Sequence, residues 1–143
     1  MHKYSVSVTH KFRGTGVALV TPFNNDGSID FTGLNKLINH VIDGGVEYLV
    51  AMGTTGESAT LSEQERFEII DFTLAASNGR VPVVGGFGGN NTMEIIHSIQ
   101  RYKSHCSGKK YIDAILIASP YYNKPSQEGI YQHYIAIDQV VEV

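Results

Sequence analysis

Four short apolar runs, Val17 to Val20, Tyr48 to Met52, Val81 to Gly86 and Ala114 to Ala118, recur about every 32 to 34 residues, an interval that holds one strand, one helix and their loops. Each run is apolar at successive positions instead of alternating, as parallel strands covered on both faces require. Helical patterns fill the intervals. Asp30 is placed to cap a helix whose inner face is Leu34, Leu37, Ile38 and Val41, with Gly44-Gly45 as its stop. Ser62 and Glu65 form a capping box ahead of Phe67, Ile70 and Leu74, with Gly79 ending that helix. Asn91 precedes Ile95, Ile96 and Ile99, and Ser126 precedes Ile130, Tyr134 and Ile137. The order is βαβαβαβα from near Arg13, after an extension of residues 1–12 that carries no periodicity. Pro82 is tolerable because it opens its strand, where no ladder donor is required.

Right-handed crossovers between such units give either an open doubly wound sheet or a (β/α) barrel, and periodicity alone does not separate them. In both, ligands bind outside the carboxyl ends of the strands. Four segments fall there: Thr21-Pro22-Phe23-Asn24, Gly53-Thr54-Thr55-Gly56-Glu57-Ser58, Gly86 to Asn91, and the loop around Tyr121 and Tyr122. In the second, glycines allow close approach of the backbone while adjacent threonines supply short donors, which makes it a candidate cradle for a small carboxylate.

Charge and composition exclude several classes. With a net charge of −3 and no basic run beyond Lys109-Lys110, the chain lacks the electrostatic footprint of a nucleic-acid or membrane-surface binder. An apolar fraction of 42% over 143 residues suits one domain with a sizeable core. One cysteine, Cys106, forms no internal disulfide and has no base at a spacing suited to a nucleophile. The absence of a secretion signal or spanning segment points to a cytoplasmic protein. His40, His97, His105 and His133 fall on helices without metal-ligand spacing, so they are expected at the surface and neither metal nor cofactor is indicated.

Each candidate residue has a plainer reading beside the functional one. Gly85-Gly86-Phe87-Gly88-Gly89 suggests a dinucleotide loop, but position 91 is asparagine and no Walker lysine follows, so a tight strand-to-helix turn capped by Asn91 fits better. Thr54 and Thr55 can satisfy local backbone groups, or bind a ligand. Tyr121 and Tyr122 can pack against a neighbour, although a phenol also carries a donor and an acceptor on one oxygen and can relay protons. Glu57, close to a helix start, suits ordering backbone N–H groups better than acting as a base.

Taken together, Gly14 to Phe23, Gly53 to Glu57, Gly88-Gly89-Asn90-Asn91-Thr92 and Pro120-Tyr-Tyr-Asn-Lys-Pro-Ser-Gln-Glu-Gly129 resemble the dihydrodipicolinate synthases. These belong to the pyruvate-dependent class I aldolases, a superfamily that also contains N-acetylneuraminate lyase. The resemblance covers about residues 13 to 143 and implies a (β/α)8 TIM barrel of which only the first four βα units are present, a half barrel, in a homotetramer of tight dimers. It also implies a lysine that forms a Schiff base with pyruvate, whose enamine attacks aspartate semialdehyde on the route to lysine and diaminopimelate. Carried over by position, Thr55 binds the pyruvate carboxylate, while Thr54 and a Tyr122 reaching across the dimer interface are the catalytic members of a proton relay. Ser58, Ala59, Asn90, Glu94 and Tyr121 correspond to the allosteric lysine pocket of some members. Glu63 and Arg66 stand where feedback-regulated members often carry histidines, so lysine inhibition is not expected. A barrel of this type takes about 250 residues or more, and the family's Schiff-base lysine lies beyond Val143. Lys36 and Lys103 read as helix surface, Lys109 and Lys110 as a polar turn, and Lys3 and Lys11 as extension. Lys124 is on the right rim but in an exposed loop without the burial or cationic neighbours that lower an amine's pKa. The chain is therefore expected to be inactive alone and to expose unpaired strand edges that favour self-association.

Overall fold

The computed structural model describes residues 11–106 and 111–141. Its strands are β1 (Gly16–Ala18), β2 (Tyr48–Ala51), β3 (Val83–Gly86) and β4 (Ala114–Leu116), and its helices α1 (Phe31–Asp43), α2 (Glu63–Ser77), α3 (Thr92–His105) and α4 (Gln127–Asp138). The four strands form one parallel sheet in the order β1-β2-β3-β4, with Val17 beside Leu49, Leu49 beside Val83, and Gly85 beside Ile115. That order decides between the two architectures. Right-handed crossovers that always step to the next strand in the same direction put every helix on one face, whereas a doubly wound sheet must reverse its strand order. The sheet is a barrel wall, four βα units of a (β/α)8 barrel.

The helices are built where local chemistry supports them. Asp30 accepts from the Gly33 N–H at 2.8 Å, and Asn91 Oδ1 takes the Met93 and Glu94 N–H groups at 3.0 and 3.3 Å. The Ser62 and Glu65 box closes in both directions, and Ser126 takes the Gly129 N–H at 3.1 Å. All four sequence-derived caps are therefore in place. The stop of α2 differs by one residue: Asn78, at φ 49°, already makes the left-handed turn, and Gly79 follows it at φ 74°. Asparagine tolerates that region better than other side chains because its short amide bonds locally.

The core lies between sheet and helices. Leu34 and Ile38 of α1, Leu49 and Val83 of the sheet, and Ile70, Ile99 and Tyr102 of α2 and α3 are essentially inaccessible to water. Tyr102 donates to Asp71 Oδ1 at 3.2 Å, which satisfies the one polar atom of a ring otherwise buried among apolar groups, and burial pushes its phenol far above the usual range. On the opposite face, register places Ala18, Val50, Val84 and Ala114 in one row. Val20 (47% exposed) and Leu116 (49% exposed) lie open to water. The outer edges of β1 and β4 have no strand partner among the described residues.

His133, read from sequence as a surface residue, is buried, and its Nδ1 lies 2.8 Å from Thr92 Oγ1 at the start of α3. The buried stripe of α4 runs through His133 and Ile137, one helical turn apart, so Tyr134 turns outward and meets Ser119 Oγ with its hydroxyl at 3.1 Å. His40, His97 and His105 are at the surface as expected. Lys11 pairs with Asp113, and Phe12 packs edge-on against Tyr48 with ring centres 5.5 Å apart. Residues 1–10 of the proposed extension, and Lys109 and Lys110, lie outside the described residues. Among the described residues no helix is long and apolar enough to cross a membrane.

Candidate functional site

The carboxyl end of β2 is shaped by an abrupt change of backbone. The apolar run continues to Met52, but the ladder stops at Ala51, because Met52 adopts a left-handed conformation at φ 59°. Gly53 is extended, Thr54–Gly56 form a single 3-10 turn, and Glu57 is left-handed at φ 55°. Two bonds close the turn, Gly56 N–H to the Gly53 carbonyl at 3.0 Å and Glu57 N–H to the Thr54 carbonyl at 3.1 Å. Gly86 at the end of β3 lies directly against this kink: a Cβ there overlaps the Met52 carbonyl oxygen and stands 2.6 Å from its carbon and 2.9 Å from Gly53 N. The glycine-rich segment thus serves close approach between strands, and Asn91 caps α3 beyond it, as the plainer reading held.

Thr54 and Thr55 are exposed on this turn, and neither hydroxyl has a hydrogen-bond partner among the described residues. The first N–H groups of such a turn also lack an internal acceptor by geometry. Two neutral hydroxyl donors beside free backbone N–H groups suit an anionic carboxylate better than a cation. The structure gives Glu57 no side-chain hydrogen bond, so it does not order backbone N–H groups as read from sequence; its contribution is the left-handed backbone that ends the turn.

The loop after β4 stands on the same rim. Asn123 donates from Nδ2 to the Asn90 carbonyl at 2.9 Å, and Asn90 Nδ2 donates to Asn123 Oδ1 at 3.1 Å, a reciprocal clasp that joins this loop to the one before α3. Tyr121 is exposed, and Tyr122, left-handed at φ 69°, is 91% exposed with no hydrogen bond to either threonine. The two threonines are brought together; Tyr122 joins them within this chain by no contact.

Of the five residues assigned by resemblance to an effector pocket, Asn90 and Glu94 line one small pocket, together with Arg66, Phe87, Gly88 and Gly89. Ser58 and Ala59 sit in the turn after Glu57 and Tyr121 in the later loop, and these three do not line it. Arg101 binds Glu63 through two bonds of 2.7 Å and Glu94 through a third of 2.7 Å, while Ser98 donates to Glu63 at 3.1 Å. The hydrogen bonds from Arg101 hold the Glu63 carboxyl below its ordinary range, and burial only partly opposes them. Arg66 Nε is buried without a partner among the described residues.

No cluster of metal-ligating side chains occurs among the described residues. Of the described lysines, Lys11 is paired with Asp113, and Lys36, Lys103 and Lys124 are exposed, so none lies in a buried setting. Sequence reasoning missed Thr21, whose buried hydroxyl donates to the Gly56 carbonyl at 2.7 Å, and the Asn90–Asn123 clasp. Both lay inside segments noted for position, but long-range hydrogen bonds leave no periodic signal.

A family model described as the Dihydrodipicolinate synthetase family matches residues 11–142. A 4-hydroxy-tetrahydrodipicolinate synthase from Flavobacterium psychrophilum is 55% identical over 123 residues, which is 86% of this chain and 40% of that protein. The Bacillus subtilis enzyme of the same name is 45% identical over 126 residues, 88% of this chain and 42% of that one. Among solved structures, a dihydrodipicolinate synthase from Acinetobacter baumannii, determined in complex with pyruvate, superposes with a TM-score of 0.83 at 43% identity over 91% of this chain and 43% of its own. The chain thus spans about two fifths of the length of the curated relatives it matches.

Proposed function

The chain belongs to the Dihydrodipicolinate synthetase family, and from that premise we propose that it supplies the pyruvate-binding wall of a 4-hydroxy-tetrahydrodipicolinate synthase, a class I aldolase-type lyase of lysine and diaminopimelate biosynthesis. The observation that carries this reading is the pair of uncommitted hydroxyls, Thr54 and Thr55, on one turn at the carboxyl end of a barrel strand. Thr55 donates to the pyruvate carboxylate, with the N–H groups that open the turn completing the cradle. A lysine amine adds to the keto carbon and water leaves, giving an iminium ion. Loss of a methyl proton yields the enamine, whose carbon bonds to the aldehyde carbon of aspartate semialdehyde while the aldehyde oxygen takes up a proton. Thr54 passes protons along a relay that Tyr122 of a second copy completes across a dimer interface. The 91% exposure of Tyr122, whose hydroxyl has no hydrogen-bond partner among the described residues, supports that role.

The condensing amine in this reading is none of the described lysines, Lys11, Lys36, Lys103 and Lys124, and these 143 residues alone do not turn over substrate. The double threonine favours this activity over N-acetylneuraminate lyase, whose members usually carry serine before threonine. By position, Asn90 and Glu94, with Ser58, Ala59 and Tyr121, belong to an effector site. The positive charge of Arg66, which lines that pocket, opposes a lysine ammonium group, so lysine feedback forms no part of the proposal. A second reading, a non-catalytic half barrel that docks through its open face, rests on the exposure of Val20 and Leu116.

Saturation-transfer NMR with pyruvate tests the first reading. The expected result is transfer to the pyruvate methyl group that Thr55→Val abolishes; undiminished transfer in Thr55→Val removes the cradle. Borohydride treatment with pyruvate, followed by intact-mass measurement, is expected to leave the chain unmodified, and an adduct overturns the placement of the amine elsewhere.

A further inference from the structure

We propose that Thr21 is a positioning residue for the carboxylate cradle, fixing from the end of the first strand segment the turn that presents Thr54 and Thr55. The inference rests on the reading of Thr55 as the carboxylate donor and adds to it the group that holds Thr55 in place.

The turn does not hold itself. It contains a single 3-10 unit with two internal bonds, and runs of this kind are short because their hydrogen-bond geometry is poor. Both flanking residues, Met52 and Glu57, are non-glycine residues in the left-handed region, where side chains are disfavoured unless the surroundings impose the conformation. The imposition comes from two neighbours. On the β3 side, Gly86 lets the backbone of Met52 and Gly53 settle against it. On the β1 side, Thr21 is 4% exposed and its Oγ1 donates to the Gly56 carbonyl at 2.7 Å. Among the described residues this is the only side-chain hydrogen bond that residues 53–56 receive. The Gly56 carbonyl accepts neither of the turn's two internal bonds, so without Thr21 it is a buried polar atom lacking a partner. Gly56 is itself buried, with the place of a Cβ 3.2 Å from the Leu19 carbonyl and 3.5 Å from Thr21 Oγ1, so the turn is seated directly on this segment.

The consequence for binding is geometric. A threonine hydroxyl reaches a carboxylate oxygen only at about 2.5–3.0 Å with good alignment, so displacement of the turn by a fraction of an ångström weakens the contact while leaving Thr55 present. Thr21 touches no ligand atom and acts entirely through Gly56.

Thr21→Val keeps the side-chain shape and removes the hydroxyl, and Thr21→Ser keeps the hydroxyl. In the full chain, amide exchange at Gly56 and Glu57 is expected to quicken about tenfold in Thr21→Val, the loss of one buried hydrogen bond, while Leu49 and Val83 in the core stay unchanged. The dissociation constant for pyruvate, read from amide shifts in a titration, is expected to rise about fivefold or more over the same range of interaction. Thr21→Ser restores both. Unchanged exchange, or quickened exchange with unaltered affinity in a chain that binds pyruvate, overturns the role of Thr21 alone. Absence of any pyruvate response in the parent chain instead overturns the reading of Thr55 and removes this inference with it. If Thr21→Val does not fold, Thr21→Ala is put to the same two measurements.

Discussion

Replacing Gly86 with alanine places a methyl group where two strands touch through their backbones. The new Cβ overlaps the Met52 carbonyl oxygen and lies 2.6 Å from its carbon and 2.9 Å from Gly53 N, against an ordinary contact that begins at 3.4 Å, so β2 and β3 must separate locally by more than the 0.8 Å that the carbon alone requires. Neither obstructing group is a flexible side chain. Overpacking of this kind costs about 1–3 kcal/mol, and a clash with backbone belongs at the upper end. The reduced freedom of the unfolded chain returns about 0.4–1 kcal/mol, leaving a net loss of about 2–3 kcal/mol. For a chain of this size that corresponds to a fall of roughly 10 °C in the thermal midpoint. Gly88, two residues away in the same glycine-rich segment, provides the control: no atom lies within 4 Å of its Cβ position and its φ is not positive. Gly88→Ala is expected to be neutral or to gain up to about 1 kcal/mol. Circular dichroism melting of the two variants side by side makes the comparison. A Gly86→Ala midpoint within about 2 °C of the parent refutes the claim that this glycine exists for close approach to the Met52 kink.

Ser62→Ala removes the hydroxyl of the α2 capping box and is expected to cost about 1 kcal/mol in chemical denaturation; no measurable loss contradicts the assigned cap. Asn78→Gly relieves the left-handed residue at the end of α2 and is expected to stabilise by about 0.5 kcal/mol, visible as a higher urea midpoint at unchanged slope. The Glu63 carboxyl, held below its usual range first by the hydrogen bonds from Arg101, contributes stability that is complete above the unfolded value of roughly pH 4.3 and is lost as pH falls through the lower folded value. Urea titrations between neutral and acidic pH are expected to show a steeper acid loss in the parent than in Glu63→Gln, and equal slopes exclude the pairing as its cause.

What the sequence carried depended on whether the determining contact was local. Asp30, Ser62, Asn91 and Ser126 all cap the helices that their spacing indicated, because a cap is decided within three residues of chain. Strand order was invisible to periodicity, since the neighbour of a strand is chosen by contacts some thirty residues away, and only the β1-β2-β3-β4 sequence of pairings separates a barrel wall from a doubly wound sheet. The end of β2 was read one residue late because Met52 remains apolar and buried while its backbone leaves the ladder. His133 was placed on the wrong face because two stripes of helical spacing share Ile137, and packing against Thr92 chose the polar one. The Thr54-Thr55 turn was legible as a loop at a strand end. That its hydroxyls are uncommitted, and that Thr21 holds it from below, depended on coordinates.

A crystal of the chain soaked with pyruvate examines the carboxylate cradle without intermediaries. Difference density for the carboxylate is expected within hydrogen-bond distance of the Thr55 hydroxyl and of the N–H groups that begin the 53–56 turn. Pyruvate bound instead in the pocket between Arg66 and Glu94, or a turn left empty at concentrations that saturate a site elsewhere on the molecule, contradicts the assignment of that turn as the place where the keto acid is held.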